Sequence, residues 1–225
     1  MASYDDDLKE LKQELIRKTL GGSVFVAERT VSAINTLTES VAGPPARIEL
    51  AALPVGYKDI GYTTDDGAQF STETTTSDVT SWQSTSPTRS DITSETSTMT
   101  VTAQETKLLT IGLYLGVATA GIQGAAGTGE VVIKKPQRAS ARHYRVLALA
   151  IDGDPGSEIF IARFLPNAKI TGRGEQAYSK SDQALTWPVT FTGFHDSAYG
   201  TAEAHFFGGP GWLALLDEMG ITQAT

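Results

Sequence analysis

The sequence contains no cysteine, which excludes disulfide bonds and thiolate ligands for a metal ion. It also lacks any run near the roughly 18 consecutive apolar residues that a membrane-spanning helix requires. The N-terminal residues are acidic first and mixed in charge afterwards, which is not the charge order of a secretion signal. We therefore expect a protein that folds in the cytoplasm and has no membrane partner.

Basic residues are scarce relative to acidic ones. The chain has 18 Lys and Arg against 26 Asp and Glu, for a formal net charge of -8. Tight binding to nucleic acid depends on neutralising phosphates with Lys and Arg. The charge balance therefore argues against a nucleic-acid-binding protein, while 40% hydrophobic residues indicate a folded core.

Recognisable catalytic and metal-binding motifs are missing as well. His143, His195 and His205 lack the spacing of a metal site, and we expect them to be packed or surface residues. The glycine-rich GAAGTGE of residues 124–130 lacks the lysine of a phosphate-binding loop, and no GxSxG motif occurs. We therefore predict no catalytic, cofactor or metal site, and no enzyme activity.

Alternating and β-branched residues predict a mainly β fold. Ser23–Glu28 has the pattern of a strand, and Leu53–Phe70 that of two strands around a turn at Asp65–Gly67. Residues 35–45 are loop-like. The spacing of the later candidates indicates a sandwich or barrel, with strands at Val131–Lys134, His143–Asp152, Ile159–Ala168, Ala184–Phe194 and Ala202–Phe207.

A strand continues directly into a helix in the stretch TSTMTVTAQETKLLTIGLYLG, residues 96–116. The threonines at even positions 96–102 point one way, and Met99 and Val101 point the other. Leucine and isoleucine then dominate up to Gly116, which predicts a helix over residues 105–115. This helix is expected to cover the apolar side of a sheet.

Serine and threonine occupy 19 of the 30 positions from Ser71 to Thr100. Such a composition is typical of a disordered tract, but apolar residues such as Trp82 interrupt it, and threonine forms strands well. We interpret the region as two strands joined by a long exposed loop, residues 77–91.

The ends of the chain have a different pattern. DDDLKELKQELIRKTLGG is amphipathic, with Leu8, Leu11 and Leu15 on one helical face, and Trp212–Met219 predicts a short helix. The first helix either packs on its own domain or docks on a neighbouring subunit. We divide the chain into an N-terminal helical arm at 1–22, a β-domain at 23–207 and a C-terminal arm at 208–225.

One cluster of positive charge stands out in this acidic chain: Lys134, Lys135, Arg138, Arg142 and Arg145. It is either a solvated hairpin or a basic patch that faces an acidic patch on a like subunit.

Six stretches together resemble one family: LIRKTLGGSVFVAE, LPVGYKDIGYTTDDGAQFS, SWQS, TMTVTAQETKLLTIGLYLG, FLPNAKITGRG and FFGGPGW. They are similar to the major tail proteins, or tail-tube proteins, of long non-contractile-tailed bacteriophages, especially phages of actinobacteria. The resemblance spans nearly the whole chain and depends on the order of the elements.

The resemblance implies a tail-tube-type β-sandwich or barrel of two packed sheets with one flanking α-helix and terminal extensions. It implies hexameric rings that stack around a tape-measure protein and meet tail-terminator and distal tail proteins in the virion. Genomic DNA would pass through an acidic or hydroxyl-rich bore without tight binding. The loop at 77–91 would contact the adjacent ring through Asp78, Trp82 and Arg89, and the basic cluster would lie at a subunit contact or outside.

Two other classes of function fit parts of the sequence. A carbohydrate-binding β-sandwich surface module suits the serine, threonine and Trp82 content, and a hydrolase with an unrecognised site is the third alternative.

Overall fold

The computed structural model describes residues 11–43, 47–138, 141–180 and 184–224, which form ten strands and two short α-helices. The mainly β architecture confirms the predicted fold class. The strands are β1 Gly21–Glu28, β2 Thr38–Val41, β3 Arg47–Leu50, β4 Lys58–Asp59, β5 Thr63–Val79, β6 Arg89–Ala103, β7 Tyr144–Asp152, β8 Ile159–Arg173, β9 Trp187–Gly193 and β10 Ala204–Gly208. The helices are α1 Leu108–Leu115 and α2 Pro210–Ala214.

Two antiparallel sheets contain all ten strands. The larger sheet has the order β4-β1-β7-β8-β9-β6-β5, and β10 pairs with the part of β8 that β9 leaves free. The strands β2 and β3 form a separate hairpin. The open ends of the large sheet are therefore the two-residue β4 and the seventeen-residue β5.

Apolar residues cover both faces of the central strand β7. Its sequence YRVLALAID has no polar alternation, as expected of a strand buried on both sides. Val146 packs in one core with Val24, Met99 and Phe191, which shows that the large sheet curls so that β6 faces β1. Leu147 packs on the opposite side in a second core with Ile34, Leu37, Phe160, Ala162 and Phe164.

The predicted continuation of a strand into a covering helix is confirmed. Met99 and Val101 are buried, whereas the threonines that alternate with them, at positions 98, 100 and 102, are half-buried. The helix α1 packs on the apolar side, where Tyr114 makes an edge-to-face contact with Trp187. It begins at Leu108, later than predicted, because the buried Thr110 hydroxyl accepts the Lys107 N–H at 3.0 Å.

Two strand predictions are wrong. Residues 131–134 form no strand, although the sequence VVIK favours one. The predicted turn at Asp65–Gly67 lies inside β5, where Thr63 pairs with Ala103 and Ala68 with Val101. Gly67 has a φ of 61°, so it accommodates a bulge that bends the strand instead of reversing the chain.

The remaining differences concern loops and helix ends. Residues 35–45 were predicted as a loop but contain β2. Residues 11–20 form only a three-residue 3₁₀ helix, Gln13–Leu15, and the rest of the predicted N-terminal helix, Met1–Glu10, lies outside the described residues. The C-terminal helix is α2, which begins at Pro210 and ends before the predicted Met219.

Candidate assembly surfaces

The largest exposed feature is the hairpin arm, residues 72–97, in which β5 and β6 pair with each other alone. The strand β9 pairs with β6 only from Thr98 to Ala103, so both outer edges of the arm are unpaired. None of its residues is buried, and all except Ser81, Thr96 and Ser97, which are half-buried, are exposed. An isolated two-stranded ribbon is at best marginally stable in water. The arm therefore makes no tertiary contact that would compensate for this low stability within its own subunit.

The tip of the arm is shorter than the predicted loop at 77–91. The strands extend to Val79 and resume at Arg89, so the loop spans residues 80–88. The Thr88 N–H donates to the Val79 carbonyl at 2.8 Å, and the Ser81 and Thr88 hydroxyls lie 2.9 Å apart. Hydroxyl groups thus close the tip, which explains why a serine- and threonine-rich sequence forms an ordered turn here.

The three predicted contact residues all lie at the end of the arm. Trp82 is 98% exposed in the tip loop. Asp78 and Arg89 belong to the strands instead of the loop, and Arg89 Nε lies 2.6 Å from Asp91 Oδ2. A fully exposed indole is a large apolar surface without a contact, and tryptophan is enriched among residues that dominate interfaces.

The predicted basic cluster is divided in the structure. Lys134, Lys135 and Arg138 are exposed on a segment without secondary structure. Arg142 Nη2 lies 2.7 Å from Glu28 Oε1. Arg145 is buried in its own subunit, where Nε donates to the Arg29 carbonyl at 3.1 Å. Only the first three residues are therefore available to another molecule without breaking a contact in the subunit.

The outer side of β5, β6, β9 and β8 carries hydroxyl and amide groups, a surface that we call the threonine face. One row across the strands is Ser71, Thr98, Thr192 and Lys169, and the next is Gln69, Thr100 and Thr190. The Thr100 and Thr190 hydroxyls lie 3.0 Å apart. Lys169 Nζ lies 4.8 Å from the Phe194 ring centre, a cation–π contact. Lys169 is the charged residue of these two rows, Thr192 is buried, and Glu73 follows Ser71 on the same side of β5.

A groove of about 770 Å³ lies where the curled sheet does not close, between β1 and the first half of β5. Three of its charged side chains, Glu105, Lys107 and Arg163, have partners within the subunit. Glu105 accepts the Tyr62 N–H at 2.8 Å and pairs with Lys107, whose hydrogen bond holds the Glu105 pKa below its usual value. Arg163 lies over the Phe70 ring. Within the described ranges, no group of three His, Asp or Glu residues is arranged to hold a metal ion.

Buried polar groups hold the ends of the central strands in place. Asp196 Oδ2 lies 3.1 Å from Arg29 Nε, and Oδ1 accepts the Ala198 N–H at 3.0 Å. The hydrogen bond from Arg29 is the main reason that the Asp196 pKa is lowered. His143 Nδ1 bonds to Asn167 Oδ1 at 2.6 Å, whereas His205, which pairs with Glu203, is exposed. The sequence carried no signal for Asp196, because its partner Arg29 is distant in the chain.

The open β5 edge and the uncovered hairpin arm are the surfaces that a larger structural assembly would cover. The family model described as "Phage tail tube protein" matches residues 11–206. The chain therefore belongs to the phage tail tube protein family, which confirms the resemblance seen in the sequence. No curated protein matches the chain significantly.

Membership establishes the broad function. The family is structural and non-enzymatic, and its members are tail components of the virion that assemble into a tube with other tail proteins. This agrees with the prediction that the chain is not an enzyme. Of the residues that the structure describes, none belongs to a helix long and apolar enough to cross a bilayer.

Proposed function

We propose that this chain forms hexameric rings, and that the rings stack into the hollow phage tail tube that conducts the genome into the host. The uncovered hairpin arm is the observation that carries the proposal. It extends eight residues of β5 beyond the body of the subunit, about 27 Å at strand spacing, with no buried residue. A ribbon of this length gains stability only by packing on another subunit.

The arm reaches into the adjacent ring, and Asp78, Trp82 and Arg89 contact that ring. Burying an exposed tryptophan removes a large apolar surface from water, on the order of 150–250 Å². Serine and threonine around it supply hydrogen bonds without adding charge. In this proposal the arm is the element that joins successive rings.

The threonine face lines the bore, the hollow axis of the tube. A wall that binds phosphate would retain the DNA, because each cation that contacts a phosphate adds affinity through counterion release. Hydroxyl and amide groups make no such contribution. The genome therefore passes through the bore without tight binding, and Lys169 is kept against Phe194.

The proposed parts of the chain keep the predicted division. Residues 23–207 form the tail-tube domain, and residues 1–22 and 208–225 are arms. Leu11, Ile16 and Leu20 are more than 70% exposed, so the described part of the first arm leaves apolar side chains for a neighbouring subunit to cover. The tube surrounds a tape-measure protein, contacts tail-terminator and distal tail proteins, and is assembled in the host cytoplasm.

Electron microscopy of the purified protein tests the proposal. Rings with sixfold symmetry, and tubes after seeding with tail-initiation proteins, are the expected result. Persistent monomers under the same seeding would contradict it. Class averages with another symmetry would retain the tube but reject the hexamer.

A further inference from the structure

Residues 131–138, which we call the basic segment, have the sequence of a strand but do not form one. The segment reads VVIKKPQR, and valine and isoleucine favour extended pairing. In the described part of the chain it makes no backbone hydrogen bond. Val131 and Val132 are 47% and 66% exposed. A strand-forming run with unpaired backbone groups and uncovered valines is suited to pair with a sheet edge.

The outer edge of β5 offers such a place. Among the described strands β5 pairs with β6 alone. Natural edge strands are usually protected from pairing by lysine or proline, and TTDDGAQFSTETTTSDV contains neither. The pairing of β5 with β6 has register shifts between Thr63 and Ala68 and between Thr75 and Thr76. The edge of β5 between these two irregularities, from Ala68 to Thr75, is open for a further strand.

The charges of the two elements are complementary. The strand β5 carries Asp65, Asp66, Glu73 and Asp78 and no basic residue. The basic segment carries Lys134, Lys135 and Arg138 and no acidic residue. Opposite charges on paired strands stabilise the pairing, and like charges destabilise it. The other free edges of the large sheet fit less well, because β4 has only two residues, one of them Lys58, β10 has no carboxylate, and the free part of β6 contains Arg89.

We propose that residues 131–135 of one copy add as a strand to the outer edge of β5 in a neighbouring copy. Backbone hydrogen bonds provide the affinity of such strand addition, and side chains provide its specificity. Pro136 ends the added strand because it has no N–H to donate. The inference rests on the proposed assembly of identical subunits. It gives the basic segment a pairing partner in a neighbouring copy, whereas the segment pairs with no strand of its own subunit in the part of the chain that the structure describes.

Charge reversal tests the pairing between copies. The double variant Lys134→Glu with Lys135→Glu, and separately Glu73→Lys, should each raise the critical concentration for tube formation about tenfold or more. The variant that combines all three substitutions should have a critical concentration close to that of the unsubstituted protein. The matched control Lys180→Glu, which reverses an exposed lysine elsewhere, should leave assembly unchanged. Independent, additive effects without restoration would overturn the pairing.

A proline scan tests whether the contact is a strand. In an added strand, alternate residues donate their N–H to the edge, so Val131→Pro and Ile133→Pro should differ strongly from Val132→Pro in their effect on tube formation. The segment is not buried, so unfolding of the monomer in urea should match that of the original protein for all three. Equal effects at the three positions would reject strand addition.

These outcomes separate the inference from the function on which it rests. If the unsubstituted protein forms rings and tubes while the charge and proline variants assemble equally well, only the inference fails. If the unsubstituted protein remains monomeric after seeding, the proposed tube fails, and the pairing fails with it.

Discussion

At the scale of single residues, Asp196 is the clearest stabilising group. Its carboxylate is buried and accepts hydrogen bonds from Arg29 and from the Ala198 backbone. Sequence patterns describe neighbours along the chain, and Arg29 precedes Asp196 by 167 positions. The pair was therefore not predictable from the sequence.

Replacing Asp196 with Asn should lower the free energy of unfolding by about 2 kcal/mol at neutral pH, because a charged hydrogen bond in a buried site is lost. The lowered pKa stabilises the fold above the ordinary aspartate value of 3.8, and this part is lost as pH falls through the folded value. The difference between the two proteins should therefore shrink below pH 3.8. Urea unfolding at several pH values measures it. Asp154→Asn in an exposed turn is the control.

Substitution of Trp82 should weaken assembly without affecting the stability of the folded subunit. Trp82→Ala should change the free energy of unfolding by less than about 0.5 kcal/mol, because the side chain is 98% exposed. It should raise the critical concentration for assembly about thirtyfold, the effect of losing roughly 2 kcal/mol at a dominant contact. Sedimentation of tubes measures this value. The control is Gln83→Ala, which should leave the critical concentration unchanged. If Trp82→Ala also leaves it unchanged, Trp82 does not contribute to the interface.

At the scale of elements, the sequence pattern of a segment predicted whether it forms a helix or a strand better than it predicted which other segments it pairs with. The alternation of threonine with Met99 and Val101 is local, and it predicted β6 and its continuation into α1 correctly. The β-branched residues of 131–134 also favour a strand locally, but the subunit does not form one there. A strand requires a partner strand with a free edge, and the sequence of one segment does not determine which edges are free in the folded protein.

Shortening the hairpin arm should abolish assembly and leave the fold intact. Replacing residues 75–94 with Asn-Gly joins the cross-strand pair Thr74 and Glu95 through a tight turn. No residue in the deleted part is buried, so the free energy of unfolding of the monomer in urea should be unchanged. Electron microscopy should then show no tubes. Normal tubes from the shortened protein would contradict the role of the arm.

At the scale of the whole molecule, the distribution of charge decides what passes through the assembly. Thr100→Lys with Thr190→Lys should make tubes bind DNA, since every subunit would add cations to the bore. The binding should weaken steeply with salt, as counterion release requires. Co-sedimentation of DNA with tubes measures it. If Thr222→Lys tubes bind equally well, the threonine face does not line the bore.

The sequence by itself determined the mainly β class, the acidic balance, the strand that continues into α1 and the family to which the chain belongs. These features depend on composition and on short-range periodicity, which the chain carries locally. Only the tertiary structure decided that β5 forms an open edge, that Arg145 is buried and that the basic segment is unpaired. Each of these depends on which distant strands meet, because a backbone edge or a charged group becomes available only when no other part of the fold covers it.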